Sequence, residues 1–482
     1  MILAHSFMCS HSLQSVTSVL SYANVISLAN LEEASTRLSL ENQWTKQSEV
    51  SEIDLSKLHF ELKRQKYKFR PQKKISVRVA DGNQYPLETK NQSKERIFAF
   101  PSKRDTVLLT AFAQKLEQVF DPFLSSCSYG ARQDRTLHTL FHDLSAVSGK
   151  NPVLFRIHLE KSFGKIHQEF LVRQLAFFCD QQGRELFQKV CQASYIDVHT
   201  LGMHQRPQFR WSSFETPLHT AGLPRANLLS LVCTNIFFAS FDTFLFELQK
   251  EYSFRFVRYM DQILCIVSGD LDEKQRIALE NRIQRFLLQT LKLSSTIEKT
   301  KKVSFLGAQV ESSHEGVTCS PDIDSLFALA LEKGYAKYGA SGKIRATSFR
   351  RATSFQEDEI VLMYQKALRR ICQYYSWTHL PSSLSPILHL LTKSCALTLA
   401  DKLKLGSAQK VYKRFGPYLR VQSLQTKGFK KMGKNDQTFS LHPSTYKKID
   451  QKTFEKGRYP HIFSSFFDDL FESSHSSKRK SL

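Results

Sequence analysis

Asp261 stands between two apolar runs in the stretch Phe254-Arg-Phe-Val-Arg-Tyr-Met-Asp-Gln-Ile-Leu-Cys-Ile266. Apolar run, polar pair, apolar run predicts a β-hairpin with an acidic tip. Two adjacent carboxylates at such a tip would suit Mg²⁺, which takes hard oxygen ligands, and so would suit metal-assisted phosphoryl transfer. Here the second position is Gln262, and the tip carries one carboxylate. A second kind of chemistry is written further on. Lys402, Lys404, Lys410, Lys413 and Arg414 fall within 13 residues, a density of cations that neutralises phosphates with counterion release. Upstream of them Tyr374, Tyr375 and Trp377 offer rings for unpaired bases. The plainer readings remain open beside these: a solvated basic face for the lysines, and anchors of a helical core for the tyrosines.

The elements that must carry these residues follow from periodicity. Leu58, Leu62 and Tyr67 lie at helical spacing within the basic stretch 57–70. Lys74–Val79 alternates as a strand, with Ala80-Asp-Gly-Asn83 as its turn. Helices are predicted over 104–123, 169–178, 228–248 and 272–291, and strands over 152–157 and 303–310. Between about 311 and 350 apolar density falls while Gly, Ser and Lys rise, as in Lys333-Gly-Tyr-Ala-Lys-Tyr-Gly-Ala-Ser-Gly-Lys343. A boundary is placed there. Residues 356–416 are again helical, and 421–482 is basic and rich in Ser and Phe.

Composition narrows the partners. The chain has 482 residues, 41% of them hydrophobic, with 37 Phe and 16 Tyr, and 68 Lys and Arg against 45 acidic residues, a net +23. That excess favours a polyanionic partner, nucleic acid ahead of a membrane surface. No apolar run is expected to reach the roughly 20 residues of a membrane span. Cys9, Cys127, Cys179, Cys191, Cys233, Cys265, Cys319, Cys372 and Cys395 contain no Cys-x-x-Cys pair. They read as core thiols in a reducing compartment and not as a zinc knuckle. Residues 1–31 lack Lys, Arg, Asp and Glu, which meets only half the description of a transit peptide.

Several segments in order resemble group II intron-encoded reverse transcriptases, the maturases. Phe100-Pro-Ser-Lys-Arg-Asp105 is similar to the family's Ile-Pro-x-x-Asp-Arg element. Ser128-Tyr-Gly-Ala-Arg132, with Arg135 and His138, is similar to its Tyr-Gly-Phe-Arg-x-x-Arg fingers segment. Gly222-Leu-Pro-Arg-Ala-Asn-Leu-Leu-Ser230, Tyr259-Met-Asp-Gln262, Leu293-Ser-Ser-Thr-Ile-Glu-Lys-Thr300 and Phe305-Leu-Gly307 follow in the family's order. Arg369-Arg-Ile-Cys-Gln-Tyr-Tyr375 and Thr398-Leu-Ala-Asp-Lys402 are similar to the maturase-specific domain X. The resemblance covers roughly residues 50–420.

The resemblance implies an α+β fold: right-hand fingers and palm over 51–310, a helical thumb or linker over 311–350, helical domain X over 351–420, with an N-terminal segment 1–50 and a basic tail 421–482. It implies a palm drawing carboxylates from a first-strand Asp and an Asp-Asp hairpin. In this chain His158 aligns with the first, Gly164 replaces a neighbouring Asp, Gln262 replaces the last, and Asp261 remains. Arg225, Ala226 and Leu231 depart from the loop that lines the family's nucleotide site. A displaced ligand at Glu160 is the lesser alternative. The expectation is therefore no catalytic residue and no protein-bound metal or other cofactor. The function implied is an RNA-binding factor assisting splicing of group II intron RNA, with Mg²⁺ serving the RNA and the chemistry belonging to the RNA. Contacts are expected from Arg104, Arg132, Arg135, Arg369, Arg370, Tyr374, Tyr375, Lys402, Lys404, Lys410, Lys413 and Arg414. An active reverse transcriptase or a general RNA-binding scaffold are the alternatives. The tail lacks the family endonuclease's paired cysteines and His-Asn-His pattern, so no DNA-cleaving domain is expected. The partners are structured intron RNA and, as an open matter, further splicing factors, with no membrane. The expected location is an organelle, the plastid ahead of the mitochondrion.

Overall fold

Apolar runs in Val153–Leu159 and on either side of Asp261 build the sheet on which the rest of the first half is laid. The computed structural model describes residues 20–42, 53–70, 72–79, 94–132, 134–159, 166, 168–175, 178–191, 195–197, 227–378, 381–422 and 438–443. Gly164, Glu160, Arg225, Ala226, the turn at 80–83, residues 1–19 and most of the basic tail lie outside them. The chain divides into two compact units: Met1–Leu140, Ala146–Val303 and Ser312–Val317 form the first, and Phe141–Ser145, Ser304–Glu311 and Thr318–Leu482 the second.

In chain order the first unit begins with helices α1 (Tyr22–Ile26), α2 (Leu28–Asn42) and α3 (Leu55–Lys63). Strands β1 (Gln72–Val79) and β2 (Lys94–Phe100) pair antiparallel from Lys73↔Phe100 to Val79↔Lys94. Then come α4 (Lys103–Phe120), β3 (Ser128–Tyr129), α5 (Leu137–Ser145, of which Phe141–Ser145 belongs to the second unit), β4 (Val153–Leu159), α6 (Gln168–Leu175), α7 (Gln181–Cys191), β5 (Tyr195–Asp197), α8 (Leu228–Leu248), β6 (Phe254–Tyr259), β7 (Gln262–Val267), α9 (Glu273–Gln289) and β8 (Ser295–Thr300). The central sheet has the order β3-β6-β7-β4-β8. The predicted hairpin is β6–β7, closing on the pair Tyr259↔Gln262.

Side chains alternate between the faces of this sheet. Phe155, Ile157, Ile263 and Cys265 are buried on one face. Arg156, His158, Gln262 and Leu264 alternate with them on the other. Helix α8 starts at Asn227, whose side chain accepts from Ser230 N at 2.8 Å, a hydrogen-bonded N-cap. Contrary to the reading of the sequence, its 21 residues are long and apolar enough to cross a membrane; yet 83% of its most apolar window is buried inside the protein, as a core helix is. Polar side chains within α8 hid the run from a simple scan for apolar residues, and they are themselves buried: Thr234, Asn235 and Asp242 are each 0% exposed.

The chain continues through β9 (Lys302–Phe305), β10 (Ala308–Ser312) and β11 (Val317–Pro321), whose residues Lys302, Val303, Ser312 and Val317 belong to the first unit, and then, within the second unit, α10 (Ile323–Glu332), β12 (Ala336–Tyr338), β13 (Ile344–Ala346), α11 (Glu357–Tyr374), α12 (Ser385–Lys402), α13 (Ala408–Phe415), β14 (Val421–Gln422) and β15 (Thr438–Phe439). The single strand predicted over 303–310 is two strands. Leu306 and Gly307, at φ 50 and 73, turn the chain between β9 and β10, because two successive left-handed residues cannot continue a strand. The helical content expected over 311–350 is confined to α10. Helices α11 and α12 pack together around Tyr364, which is fully buried, its hydroxyl within 2.9 Å of Ser394 Oγ and 3.0 Å of Thr398 Oγ1.

Candidate nucleic-acid interface and palm centre

The hairpin tip is held from behind by one buried cation. Arg258 is 0% exposed, and its guanidinium donates to both oxygens of Asp242 (2.7 and 2.6 Å), to Asn235 Oδ1 (3.1 Å), to Ser128 Oγ (2.6 Å) and to the Met260 carbonyl (2.8 Å). All five guanidinium donors of an arginine can be satisfied by such a cage, which is what its burial requires. Burial pushes the Asp242 carboxyl upward and the Arg258 guanidinium pulls it back. Asn235 ties the cage to the fingers segment through Gly130 O, at 2.8 Å. Met260 sits at φ 55, a conformation that costs a non-glycine residue energy and persists only under such restraint. Gly130, at φ +81, lies against it. A Cβ there would stand 3.0 Å from the Tyr259 ring and 3.2 Å from Met260 Cε.

The opposite face of the sheet is where the family's carboxylates would converge. Arg156 is 8% exposed and its Nη2 lies 3.5 Å from Gln262 Oε1. His158 Nε2 lies 3.0 Å from Glu298 Oε2 on β8. Asp261 is half-buried at the tip. Among the described residues no group of three or more His, Cys, Asp or Glu is placed to hold a metal. The donors also fit Mg²⁺ poorly: beside the single carboxylate of Asp261, the other two aligned positions carry an amide, Gln262, and an imidazole, His158, already turned to Glu298, with the Arg156 guanidinium next to them. Sequence reasoning missed Arg156. Its signal was present, since period two puts it on the face of His158.

The predicted RNA contacts separate into two groups. Arg132 is 8% exposed and spends its guanidinium on Asp121 Oδ1 (2.7 Å) and on the carbonyls of Ser125, Ser128 and Asp121. It braces the fingers segment and cannot also reach a phosphate. Tyr374 and Tyr375 are 5% and 1% exposed. Their hydroxyls donate to the carbonyls of Leu306 (2.5 Å) and Gly307 (2.7 Å), so both rings anchor the turn after β9 and neither presents a face to a base. Trp377 stacks on Phe141 at 4.2 Å. Arg104 is paired with Glu61 at 2.8 Å and lies over the Tyr67 ring. Arg135 lies over the Tyr129 ring. Arg369 and Arg370 are half-buried along α11.

The second group is free to act outward. Lys404, Lys410, Lys413 and Arg414 are exposed and Lys402 is half-exposed. Ser407 caps α13 and Val411 is its buried anchor. Lys410, Lys413 and Arg414 are spaced i, i+3, i+4, the spacing of one helical face. Six cations and no carboxylate lie between Lys402 and Arg420. Lys413 and Arg414 in the last turn also complement the helix dipole. Arg420 is exposed, and Tyr418, 38% exposed and T-shaped against the His442 ring at 4.4 Å, adds an aromatic that the sequence reading did not single out.

Comparison with known proteins defines the class first. Residues 88–319 match the reverse transcriptase (RNA-dependent DNA polymerase) family, and residues 323–477 match the type II intron maturase family. With the two domains in this order, the chain belongs to the group II intron-encoded reverse transcriptase and maturase family. A COX1/OXI3 intron 1 protein of Saccharomyces cerevisiae is 22% identical over 448 residues, covering 76% of this chain and 50% of the relative. The group II intron-encoded protein LtrA of Lactococcus lactis is 20% identical, covering 71% of this chain and 69% of the relative. The chain spans about half the length of the yeast relatives it matches. A Candida albicans telomerase solved with a telomeric RNA fragment superposes with a TM-score of 0.40 at 11% identity, over 70% of this chain and 55% of that one, a likeness too slight to argue from.

Proposed function

We propose that this protein binds a structured group II intron RNA and assists its splicing, without polymerising nucleic acid itself. The observation that carries the reading is a contrast. Of the three palm positions that would hold Mg²⁺, two present His158 and Gln262 and one keeps its carboxylate, Asp261, with Arg156 beside Gln262, while the maturase domain keeps an outward basic face on α13 and its flanks. The ribozyme would supply the chemistry, and the protein would favour the RNA's active fold. Moving such an equilibrium from 1:99 to 99:1 requires about 10⁴-fold tighter binding to the folded form. The yeast relatives, named for COX1/OXI3 introns, support an organellar setting and weigh toward the mitochondrion over the plastid expected from the sequence.

The test is binding of purified protein to a group II intron RNA and to a length-matched control across salt. The expected result is a preference for the intron. With about four phosphate contacts, affinity should fall on the order of a hundredfold between 50 and 200 mM salt. Equal affinity for both RNAs would sink the intron reading and leave a general RNA-binding scaffold. Robust primer extension with Mg²⁺ or Mn²⁺, abolished by Asp261→Ala, would overturn the claim that the palm is inactive.

A further inference from the structure

The stretch whose composition reads as a linker, 333–343, is folded. Strands β12 and β13 pair in the register Ala336↔Ala346, Lys337↔Arg345, Tyr338↔Ile344. The turn is closed by Gly339 N donating to Lys343 O (2.8 Å) and Gly342 N donating to Gly339 O (2.9 Å). The base of the arm is firm. Tyr335 is fully buried, stacks on Phe349 at 4.5 Å and meets the Tyr364 ring edge-on at 5.5 Å, and Thr347 N donates to Tyr335 O at 3.0 Å. The tip stands in the open: a Cβ added at Gly342 would meet nothing within 4 Å.

Nothing internal explains what this arm displays. Lys337 and Arg345, directly opposite each other and both exposed, form a like-charge cross-strand pair, an arrangement that destabilises a hairpin. Between Lys333 and Gln356 there are six cations and no carboxylate. Lys337, Lys343, Arg345 and Arg350 are exposed and enter no ion pair among the described residues. On the other face of the same short hairpin Tyr338 is 67% exposed. Two three-residue strands are marginal in water, and repulsion at their centre makes them more so. An anion seated between Lys337 and Arg345 would remove that cost.

We propose that the hairpin Ala336–Ala346 is an RNA-gripping arm for an unpaired segment, with Tyr338 stacking on a base and Lys337, Arg345 and Lys343 on the flanking phosphates. The inference rests on the reading that the chain binds RNA, and it assigns a site apart from the α13 face. Duplex RNA does not suit the arm, because a paired base offers no free face to Tyr338. An acidic protein surface would satisfy the lysines and leave the ring without a role.

The full chain tests this with a hairpin RNA carrying an unpaired loop and with the same duplex closed without one. Tyr338→Ala should weaken loop binding about tenfold, the lower part of the range for base stacking, leave the salt slope intact and leave duplex binding unchanged. Tyr338→Phe should restore loop binding. Lys337→Gln with Arg345→Gln should lessen the slope of log affinity against log salt by about 1.4, as expected for two contacts to a single strand. If the wild-type chain binds RNA and these variants bind both RNAs equally well, the arm is not an RNA site and the α13 reading stands. If Tyr338→Ala is silent and only the charge variant weakens binding, equally for loop and duplex, the stacking arm is likewise refuted. If the wild-type chain binds neither RNA, the proposed function falls and the arm falls with it.

Discussion

Arg258 and Gln262 stand four positions apart on one hairpin and answer to different constraints. Arg258 faces α8, where the Asp242 carboxylate and three further acceptors enclose it. Gln262 faces Arg156 on the other side of the sheet. Arg258→Ala should destabilise the first unit by about 3–5 kcal/mol, because Asp242 would keep a buried charge with its partner gone. Urea unfolding followed by tryptophan and far-UV signals measures it; a loss below about 1 kcal/mol would mean the cage is not what holds the hairpin. Much of the palm was legible as sequence at this scale: the apolar runs marked the tip at Asp261 and Gln262, and the resemblance to the family's first palm strand singled out His158. Arg132 was misread, because an arginine among polar loop residues looks exposed until the carbonyls that fold around it are placed. Arg156 was overlooked although period two puts it on the face of His158; only its closeness to Gln262 depends on the β4–β7 register.

Helix α13 is the element on which the RNA reading leans most. Replacing Lys410, Lys413 and Arg414 together with Gln leaves Val411 and the Ser407 cap untouched. The fold should persist, with a cost of at most about 1 kcal/mol from lost dipole complementarity, and the salt slope for intron RNA should drop by about 2–3. An unchanged slope, with circular dichroism unchanged, would remove α13 from the interface. Other elements show why aromatic motifs mislead. Tyr374-Tyr375 and Phe305-Leu-Gly307 are separate patterns in the sequence, yet the two hydroxyls are bonded to the two carbonyls of that turn. The glycine signalled a break in the strand over 303–310; the partner that stabilises the break lies nearly seventy residues away and was invisible. The basic stretch after α10, by contrast, looked like a linker because its strands are too short for alternation to register.

At the scale of the whole chain, several buried thiols and phenols among the described residues are held protonated. Burial pushes Cys319 up to about 11 and Cys179 and Cys265 up to about 12, and raises Tyr364 and Tyr375 well above their usual value. Each loses its proton more readily when unfolded. Stability should therefore be full below the ordinary thiol value of 9.0 and fall as pH rises through these raised values. The slope is about 1.4 kcal/mol per pH unit for each thiol that unfolding exposes. Thermal melts between pH 7 and 11 check this, and Cys265→Ala should flatten the decline in the first unit. A melting temperature that stays level from pH 9 to 11 would contradict the burial of these groups. The overall α+β arrangement was the most legible feature of the sequence, since it depends on long periodic segments.

The cage around Arg258 has a consequence for how such a protein can age. The hairpin's chemistry and its folding lie on opposite faces of one ribbon, so catalytic positions can drift without a toll on assembly. A saturation screen scored by soluble expression should find position 262 permissive and position 258 nearly closed. Loss of an enzymatic trade here would then be a one-way door with no structural alarm: the scaffold survives intact, available for whatever its outer surfaces can still hold.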